Sequence, residues 1–324
     1  MVSDAQPNPK NRQVGLRSPA HGFCDDPATR RLLRARPPRP ALAWAERQLA
    51  ARVVSTRALR GGMSSAVHLL VYETSSGSRG RAVLRRYVRP ELNAEQPDIA
   101  AREACSLSFA ETIDVPTPVL LALDPTGADS DTPALLMSHL PGRVDWWPTD
   151  IETWLRRLAD LLPGIHRASL PPPGTIPAFR PYPQKTYRPP PWARHPTVWE
   201  RAVEIFHAPA PALPSVFIQR DFHPGNVLWR RATVSGVVDW QSACIGPAAI
   251  DVGHCRANLL GYSRWVAERF TQLWEQAADM TYHPWIDIVT VMDFLDDLHD
   301  GWGSERLLIE DMLASAVSEL GSGP

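Results

Sequence analysis

The strongest constraint on the fold is a set of three short apolar runs separated by polar residues in the second half of the chain. The first run leads into a loop that contains Asp221 and turns at Pro224-Gly225, where proline presets φ and glycine tolerates positive φ. Asn226 then begins a new apolar run, and a later run ends on Asp239. If these runs pair as a hairpin across residues 230–235, Asp221, Asn226 and Asp239 meet at one edge.

These three side chains offer two carboxylates and one amide, all of which are oxygen donors. Such donors suit Mg²⁺, and a carboxylate can also accept a proton from a hydroxyl. The order of aspartate, four residues, asparagine and then a later aspartate is the protein-kinase arrangement. In that arrangement the first aspartate accepts the hydroxyl proton, and the other two groups hold metal on the nucleotide phosphates.

Three motifs follow one another in this region, and they read Gln219-Arg220-Asp221-Phe222-His223-Pro224-Gly225-Asn226, Asp239-Trp240-Gln241-Ser242-Ala243 and Gly246-Pro247-Ala248-Ala249-Ile250-Asp251. They resemble the aminoglycoside-phosphotransferase and choline-kinase superfamily. The usual pattern there is His-Gly-Asp-x-His-Pro-x-Asn, then Asp-Trp-x-x-Ala, then Gly-Pro-x-x-x-Asp. Because three motifs recur in the expected order, chance is a poor explanation, and the resemblance extends over most of residues 55–300.

The resemblance implies a role for each matching residue. Asp221 corresponds to the catalytic base, and Asn226 and Asp239 correspond to the ligands of Mg²⁺. Asp251 corresponds to a residue that braces the catalytic loop, and His223 is expected to fix that loop by hydrogen bonding. The implied reaction moves the γ-phosphoryl group of ATP or GTP to a hydroxyl of an antibiotic or a small metabolite.

The first motif departs from the family at Gln219-Arg220, where His-Gly is usual. We expect Gln219 to supply the lost hydrogen bond, and we expect the charge of Arg220 to lower the basicity of Asp221. This departure keeps open a pseudokinase that binds nucleotide or a partner without turnover. Retention of Asp221, Asn226 and Asp239 together favours an active enzyme.

A glycine-rich connection between the first two predicted strands reads Gly61-Gly62-Met63-Ser64-Ser65. The family resemblance makes this segment a phosphate cover, in which backbone N–H groups near Gly61, Gly62, Ser64 and Ser65 contact the nucleotide. Without that context a plain turn is the better explanation of the same residues.

The third predicted strand carries Arg85 where the family usually places a phosphate-binding lysine. Arginine stays charged and holds phosphate oxygens through two parallel hydrogen bonds. Glu103 is the expected partner of Arg85, and a solvated surface glutamate is an equal alternative. Met137 and His139 belong to a predicted hinge, residues 137–140, whose backbone contacts adenine.

The predicted fold class is α+β, with two lobes of protein-kinase type. Residues 41–138 are expected to form a nucleotide-binding lobe with an antiparallel sheet and one helix. Residues 139–324 are expected to form a mostly helical catalytic and substrate-binding lobe. Residues 1–40 are rich in proline and arginine, and we expect a disordered leader there.

Composition excludes several other classes. The 34 basic residues nearly balance the 35 acidic ones, whereas a general nucleic-acid binder needs a basic excess. The sequence has no apolar run long enough to span a membrane and no secretory signal, and its four cysteines are scattered, so a cytoplasmic protein is expected. No obligate protein partner is evident. A helical interaction protein that uses its 12 tryptophans for contacts remains an alternative.

The acceptor substrate is not specified by these motifs. Four aspartates recur at helical spacing near the C-terminus, at positions Asp293, Asp296, Asp297 and Asp300. This stripe is compatible with a cationic acceptor, although a solvated helix face is the more common meaning of such a charge run.

Overall fold

The computed structural model describes residues 26–59, 64–299 and 305–321. The chain forms an N-terminal lobe built on a five-stranded antiparallel sheet and a C-terminal lobe that is mostly helical. The predicted α+β, two-lobed fold is therefore confirmed. Within the described residues, no helix has the length and apolar character needed to cross a membrane.

The N-terminal sheet has the strand order β1-β2-β3-β5-β4, and its strands are β1 (Ala51–Ala58), β2 (Ala66–Thr74), β3 (Arg79–Arg86), β4 (Leu120–Asp124) and β5 (Ala134–Ser138). Four helices accompany it, namely α1 (Pro27–Arg34), α2 (Arg39–Leu49), α3 (Pro90–Glu95) and α4 (Ile99–Ala110). All neighbouring strands are antiparallel. The pairs β1–β2, β2–β3 and β4–β5 follow one another in sequence, as the predicted local connections require, whereas β3 pairs with β5 across α3, α4 and β4.

Strand β3 separates the two faces of the sheet because successive side chains alternate. Ala82 and Leu84 pack with Trp44 of α2 on the outer face. Val83 packs into the main core on the inner face, which is also the face of Arg85. The alternation therefore places Arg85, and not its neighbour Arg86, on the face toward the cleft between the lobes.

Residues 26–40 form ordered structure, so the prediction of a disordered leader is wrong for them, whereas residues 1–25 lie outside the described part. Asp26 caps α1 by accepting a hydrogen bond from the Thr29 amide at 2.7 Å. Leu33 is buried against Ala66 and Val88. The composition of this segment is typical of disorder, but the cap at Asp26 and the buried side chain of Leu33 are enough to order α1.

The C-terminal lobe contains α5 (Ile151–His166), α6 (Pro196–His207), α7 (Ala249–Leu259), α8 (Arg264–Ala278), α9 (Trp285–Asp293), α10 (Leu295–His299) and α11 (Arg306–Gly321). Four short strands complete it, namely β6 (Ser215–Ile218), β7 (Val227–Arg230), β8 (Thr233–Val237) and β9 (Cys244–Pro247). Strands β7 and β8 pair as an antiparallel hairpin, and β6 pairs with β9. The predicted hairpin is therefore present, although its second strand ends at Val237.

Residues 171–195 form no regular helix or strand, yet polar contacts fix them to the last helices. The Trp192 Nε1–H donates to the carbonyl oxygen of Leu298 at 2.7 Å. Arg194 forms an ion pair with the fully buried Glu310 at 2.7 Å. This proline-rich segment is thus a packed part of the C-terminal lobe.

Helix α1 offers a matched stability test, because it carries a buried and an exposed leucine side by side. Leu33 is 6% exposed and Leu32 is 41% exposed. We expect Leu33→Ala to lower the free energy of unfolding by about 2 kcal/mol, through lost burial and the cavity left behind. Leu32→Ala should change it by less than about 0.5 kcal/mol. Urea denaturation measures both values, and equal effects would contradict the packing of α1.

Candidate active site

The loop that follows β6, residues 219–226, is held by one buried carboxylate, and we refer to it as the catalytic loop. Asp251, in the first turn of α7, is fully buried and accepts hydrogen bonds from the amides of Gln219 at 3.1 Å and Arg220 at 2.6 Å. The same carboxylate lies 2.9 Å from His166 Nε2. Asp251 therefore braces the loop, as the sequence predicts.

Gln219 connects the catalytic loop to the loop that contains Asp239. Its buried side-chain amide donates to the carbonyl oxygens of Asp239 at 2.7 Å and Val238 at 3.2 Å. Glutamine thus supplies a hydrogen bond where the family usually has histidine. Asp239 itself adopts a left-handed backbone conformation, with φ of 64°.

Asp221 is surrounded by hydrogen-bond donors. Asn226 Nδ2 donates to the Asp221 carbonyl at 2.8 Å and to its carboxylate at 3.0 Å. His254 Nε2 lies 3.0 Å from the other carboxylate oxygen, and His223 Nε2 lies 3.9 Å from it. Burial alone would raise the pKa of Asp221, but the hydrogen bond from His254 and the charges of His223 and His254 lower it to about 2. The basicity of Asp221 is therefore lowered, as predicted, and the largest lowering contributions come from the two histidines.

Asp221, His223 and His254 place three potential ligand atoms within 4.8 Å of one another, as a metal site would. The tautomer of His223 argues against that use. Its Nδ1 accepts a hydrogen bond from the Gly225 amide at 3.1 Å, so the proton of the neutral ring sits on Nε2, facing Asp221. A metal-binding histidine instead donates from the nitrogen that does not bind the ion. The cluster is therefore a hydrogen-bond network around Asp221.

Arg85 joins the two lobes at the cleft. Its Nη1 lies 2.8 Å from Glu103 Oε1 on α4 and 2.9 Å from Asp239 Oδ1 in the C-terminal lobe. Its Nη2 donates to Gln241 Oε1 at 2.9 Å. Although burial opposes the charge, Asp239 and Glu103 raise the pKa of Arg85 well above its usual value. Glu103 is buried, so its prediction as the partner of Arg85 is correct and the alternative of a solvated glutamate is wrong.

Asn226 and Asp239 lie on adjacent stretches of backbone, because the Val238 amide donates to the Asn226 carbonyl at 2.9 Å. Asn226 uses its side-chain N–H groups on Asp221, which leaves its Oδ1 as the donor for a cation. Asp239 adds a carboxylate, which forms an ion pair with Arg85. An amide oxygen beside a carboxylate is a donor set that fits Mg²⁺.

The remaining predicted nucleotide-binding residues fall around the same cleft with one gap. Ser64 Oγ donates to Gln241 Oε1 at 2.8 Å, and the next residue, Ser65, is buried. Gly61 and Gly62 lie outside the described residues. Met137 in β5 is buried, and its backbone is paired with β3 on one side and with β4 on the other.

His139 follows β5 directly and is half-buried. Burial and, to a lesser extent, the charges of Arg81 and Arg57 lower its pKa, so its ring stays neutral near pH 7. A neutral side chain at this position is compatible with the predicted contact between the hinge backbone and a base.

The acidic stripe is not a solvated face. Asp293 accepts a hydrogen bond from the Tyr182 amide at 2.8 Å and lies 3.6 Å from the Arg220 guanidinium. Asp296 accepts one from the Lys185 amide at 3.0 Å. These carboxylates hold another segment of the chain, so the preferred interpretation of a solvated face is wrong for Asp293 and Asp296. Asp300 lies outside the described residues.

Sequence reasoning missed several residues of the site. His254 lies three positions after Asp251 on α7, so the two side chains share a helix face, and that spacing was a usable signal. Gln241, in the second motif, bridges Ser64 and Arg85, and its neighbours in sequence gave no hint of that contact.

A sequence model described as the phosphotransferase enzyme family matches residues 55–287. The chain belongs to this family. It is therefore a kinase-type phosphotransferase, and the two-lobed cleft is the expected setting for that chemistry. A search of curated protein sequences found no match to this chain.

Solved structures of several phosphotransferases share the fold. Aminoglycoside phosphotransferase APH(4)-Ia is 16% identical, with a TM-score of 0.57, and the match covers 88% of this chain and 99% of that one. Macrolide 2'-phosphotransferase MphH from Brachybacterium faecium is 18% identical, with a TM-score of 0.54 and coverage of 84% and 97%. A putative aminoglycoside phosphotransferase from Ralstonia eutropha JMP134 is 15% identical, with a TM-score of 0.53 and coverage of 88% and 99%.

Asp251 provides a stability prediction specific to the catalytic loop. Asp251→Asn replaces one acceptor oxygen by an N–H₂ group that would face backbone donors, so we expect a loss of about 2–3 kcal/mol in the free energy of unfolding. Asp160→Asn, at an exposed position on α5, is the matched control and should be nearly neutral. Urea denaturation followed by circular dichroism measures both, and equal stabilities would contradict the bracing role.

Proposed function

We propose that this phosphotransferase moves the γ-phosphoryl group of ATP or GTP to a hydroxyl of a small molecule. The proposal is carried by one observation: Asp221, Asn226 and Asp239 converge on the cleft that also holds the paired Arg85 and Glu103. These are the groups needed to hold a nucleotide and to receive a hydroxyl proton. The related enzyme APH(4)-Ia has been solved with AMP-PNP and hygromycin B, which supports a nucleotide and a small acceptor as the two substrates.

In this proposal Arg85 contacts the phosphates of the nucleotide and Glu103 fixes its direction. Because Arg85 also contacts Asp239, the guanidinium stands next to the residues that would hold Mg²⁺, namely Asn226 and Asp239. When bound, Mg²⁺ neutralises charge that develops on the phosphate oxygens. The backbone around Ser64 and Ser65 would cover the phosphates, and residues 137–140 would contact the base.

Asp221 is proposed to accept the proton of the acceptor hydroxyl as that oxygen forms its bond to the γ-phosphorus. The bond to the β-phosphate oxygen breaks at the same time, and the nucleoside diphosphate leaves with its negative charge. His254 and Asn226 orient the carboxylate from the sides. Its low pKa keeps Asp221 ionised, so the carboxylate can orient the hydroxyl and accept its proton.

Asp221, Asn226 and Asp239 lie at the cleft together with the Arg85–Glu103 pair, and this argues against a pseudokinase. Arg220, whose charge motivated that alternative, directs its guanidinium toward Tyr182 and Asp293. The departure from His-Gly thus leaves the surroundings of Asp221 intact.

Two alanine variants separate the proposed roles. Asp221→Ala should leave Mg-nucleotide binding nearly unchanged and reduce turnover by roughly 10²–10⁴-fold, the usual loss for a general base. Asp239→Ala should weaken Mg-nucleotide binding and turnover together. Calorimetric titration with Mg-ADP and a coupled assay against a panel of hydroxyl compounds measure both quantities. Unchanged turnover in Asp221→Ala would refute the base assignment, and Asp160→Ala serves as the control.

Arg85→Lys tests the use of arginine in place of the family's lysine. A lysine offers one ammonium and cannot bridge Glu103, Asp239 and Gln241 in a planar fork, so we expect Mg-nucleotide affinity to fall about tenfold. Arg86→Lys is the matched control, since Arg86 faces the outer side of the sheet and pairs with Asp131 at 2.8 Å. Calorimetry with Mg-ADP and Mg-GDP measures the nucleotide affinity of both variants, and equal affinities would contradict the role of Arg85.

A further inference from the structure

Arg220 occupies a backbone conformation that favours glycine. Its φ is 67°, in the left-handed region, where an L-residue with a side chain loses about 1–2 kcal/mol. The family usually has glycine here, so the side chain needs a compensating role. Its guanidinium donates to the carbonyl of Arg180 at 2.6 Å and lies 3.8 Å from the centre of the Tyr182 ring.

Residues 179–188 form a segment that Arg220 anchors on the catalytic loop, and we refer to it as the Tyr182 segment. Phe179 lies 4.9 Å from the same guanidinium. The Tyr182 amide donates to Asp293, and the Tyr182 hydroxyl donates to Ser242 Oγ at 3.2 Å. Tyr182 is thereby fixed between the two loops of the site, yet the residue remains 44% exposed.

A row of four rings runs along the catalytic loop. Trp146 stacks on His223 with ring centres 6.2 Å apart, His223 lies 5.7 Å from His254, and His254 lies 5.3 Å from Phe294. Two of these rings contact Asp221 directly. The two histidines direct their Nε2 atoms at Asp221, and Trp146 and Phe294 pack on the histidine rings at the two ends of the row.

The acidic groups around this position are already engaged. Among the described residues, Asp145 accepts a hydrogen bond from the Trp147 amide at 3.2 Å, and Asp293 and Asp296 accept the amides of the Tyr182 segment. These hydrogen bonds hold the three carboxylates in fixed directions, whereas the rings of Tyr182, Trp146 and Phe294 lie around the catalytic loop.

On the basis of the proposed function, we propose that Tyr182, held on Arg220, and the row of rings from Trp146 to Phe294 form the acceptor site, and that the site takes an uncharged ring alcohol such as a sugar. The C–H face of the ring would lie on the open side of Tyr182, and one of its hydroxyls would reach Asp221. Flat apolar faces bind aromatic walls well, and a few polar groups then fix their orientation. Tyr182 and Arg220 would thus set specificity.

Calorimetric binding tests this assignment without any turnover. The probes are 4-nitrophenyl β-D-glucopyranoside, which is uncharged, and kanamycin A, which is a polycation. We expect the glucoside to bind the wild type more tightly than kanamycin does, and Tyr182→Ala to weaken glucoside binding by roughly two- to tenfold, the value of one aromatic contact. Tyr187→Ala is the matched control, because Tyr187 packs on Phe206 and His207, away from the site.

Arg220→Gly provides a second variant that restores the residue suited to this backbone conformation. It should keep the melting temperature and still weaken glucoside binding, because the support of Tyr182 is lost. Tighter binding of kanamycin, absent glucoside binding, or glucoside binding insensitive to both variants would each overturn the assignment. Titration with Mg-ADP runs in parallel: if nucleotide fails to bind while glucoside binding depends on Tyr182, the kinase proposal fails and the acceptor site stands.

Discussion

The contact between Arg85 and Asp239 is the interaction on which the geometry of the cleft depends. It joins a buried cation on the N-terminal sheet to a carboxylate of the C-terminal lobe, and Glu103 on α4 forms a second ion pair with the same cation. A buried guanidinium is costly unless its hydrogen bonds are satisfied, so Glu103, Asp239 and Gln241 must stay in place together. The same group therefore orders both the two-lobed arrangement and the proposed nucleotide site.

The sequence predicted the parts of the site that depend on local patterning. Asp221, Asn226 and Asp239 could be placed because strand ends and a Pro-Gly turn fix their positions within a short stretch of chain. The pairing of Arg85 with Glu103 required the family resemblance, since no periodicity connects a strand residue to a helix 18 positions later. Strand alternation alone did predict that Arg85 and Arg86 face opposite ways.

The rest depended on contacts that no local rule encodes. The partners of Arg220 come from the proline-rich segment, 40 positions earlier, and from Asp293, on α9. The acidic stripe therefore appeared to be a solvated face, whereas the fold uses it to hold the Tyr182 segment. The leader was misjudged for a similar reason, because the burial of Leu33 is decided by the sheet it meets.

Arginine at position 85 has a consequence for chemical labelling. Nucleotide analogues that acylate an amine beside the phosphates react with the lysine usual in this position, whereas a guanidinium stays protonated and unreactive. The sequence contains two lysines, Lys10 and Lys185. If Arg85 contacts the nucleotide phosphates as proposed, an amine-reactive nucleotide would leave that position unlabelled. An acylation detected at Lys185 would instead report on the Tyr182 segment, which contains that lysine.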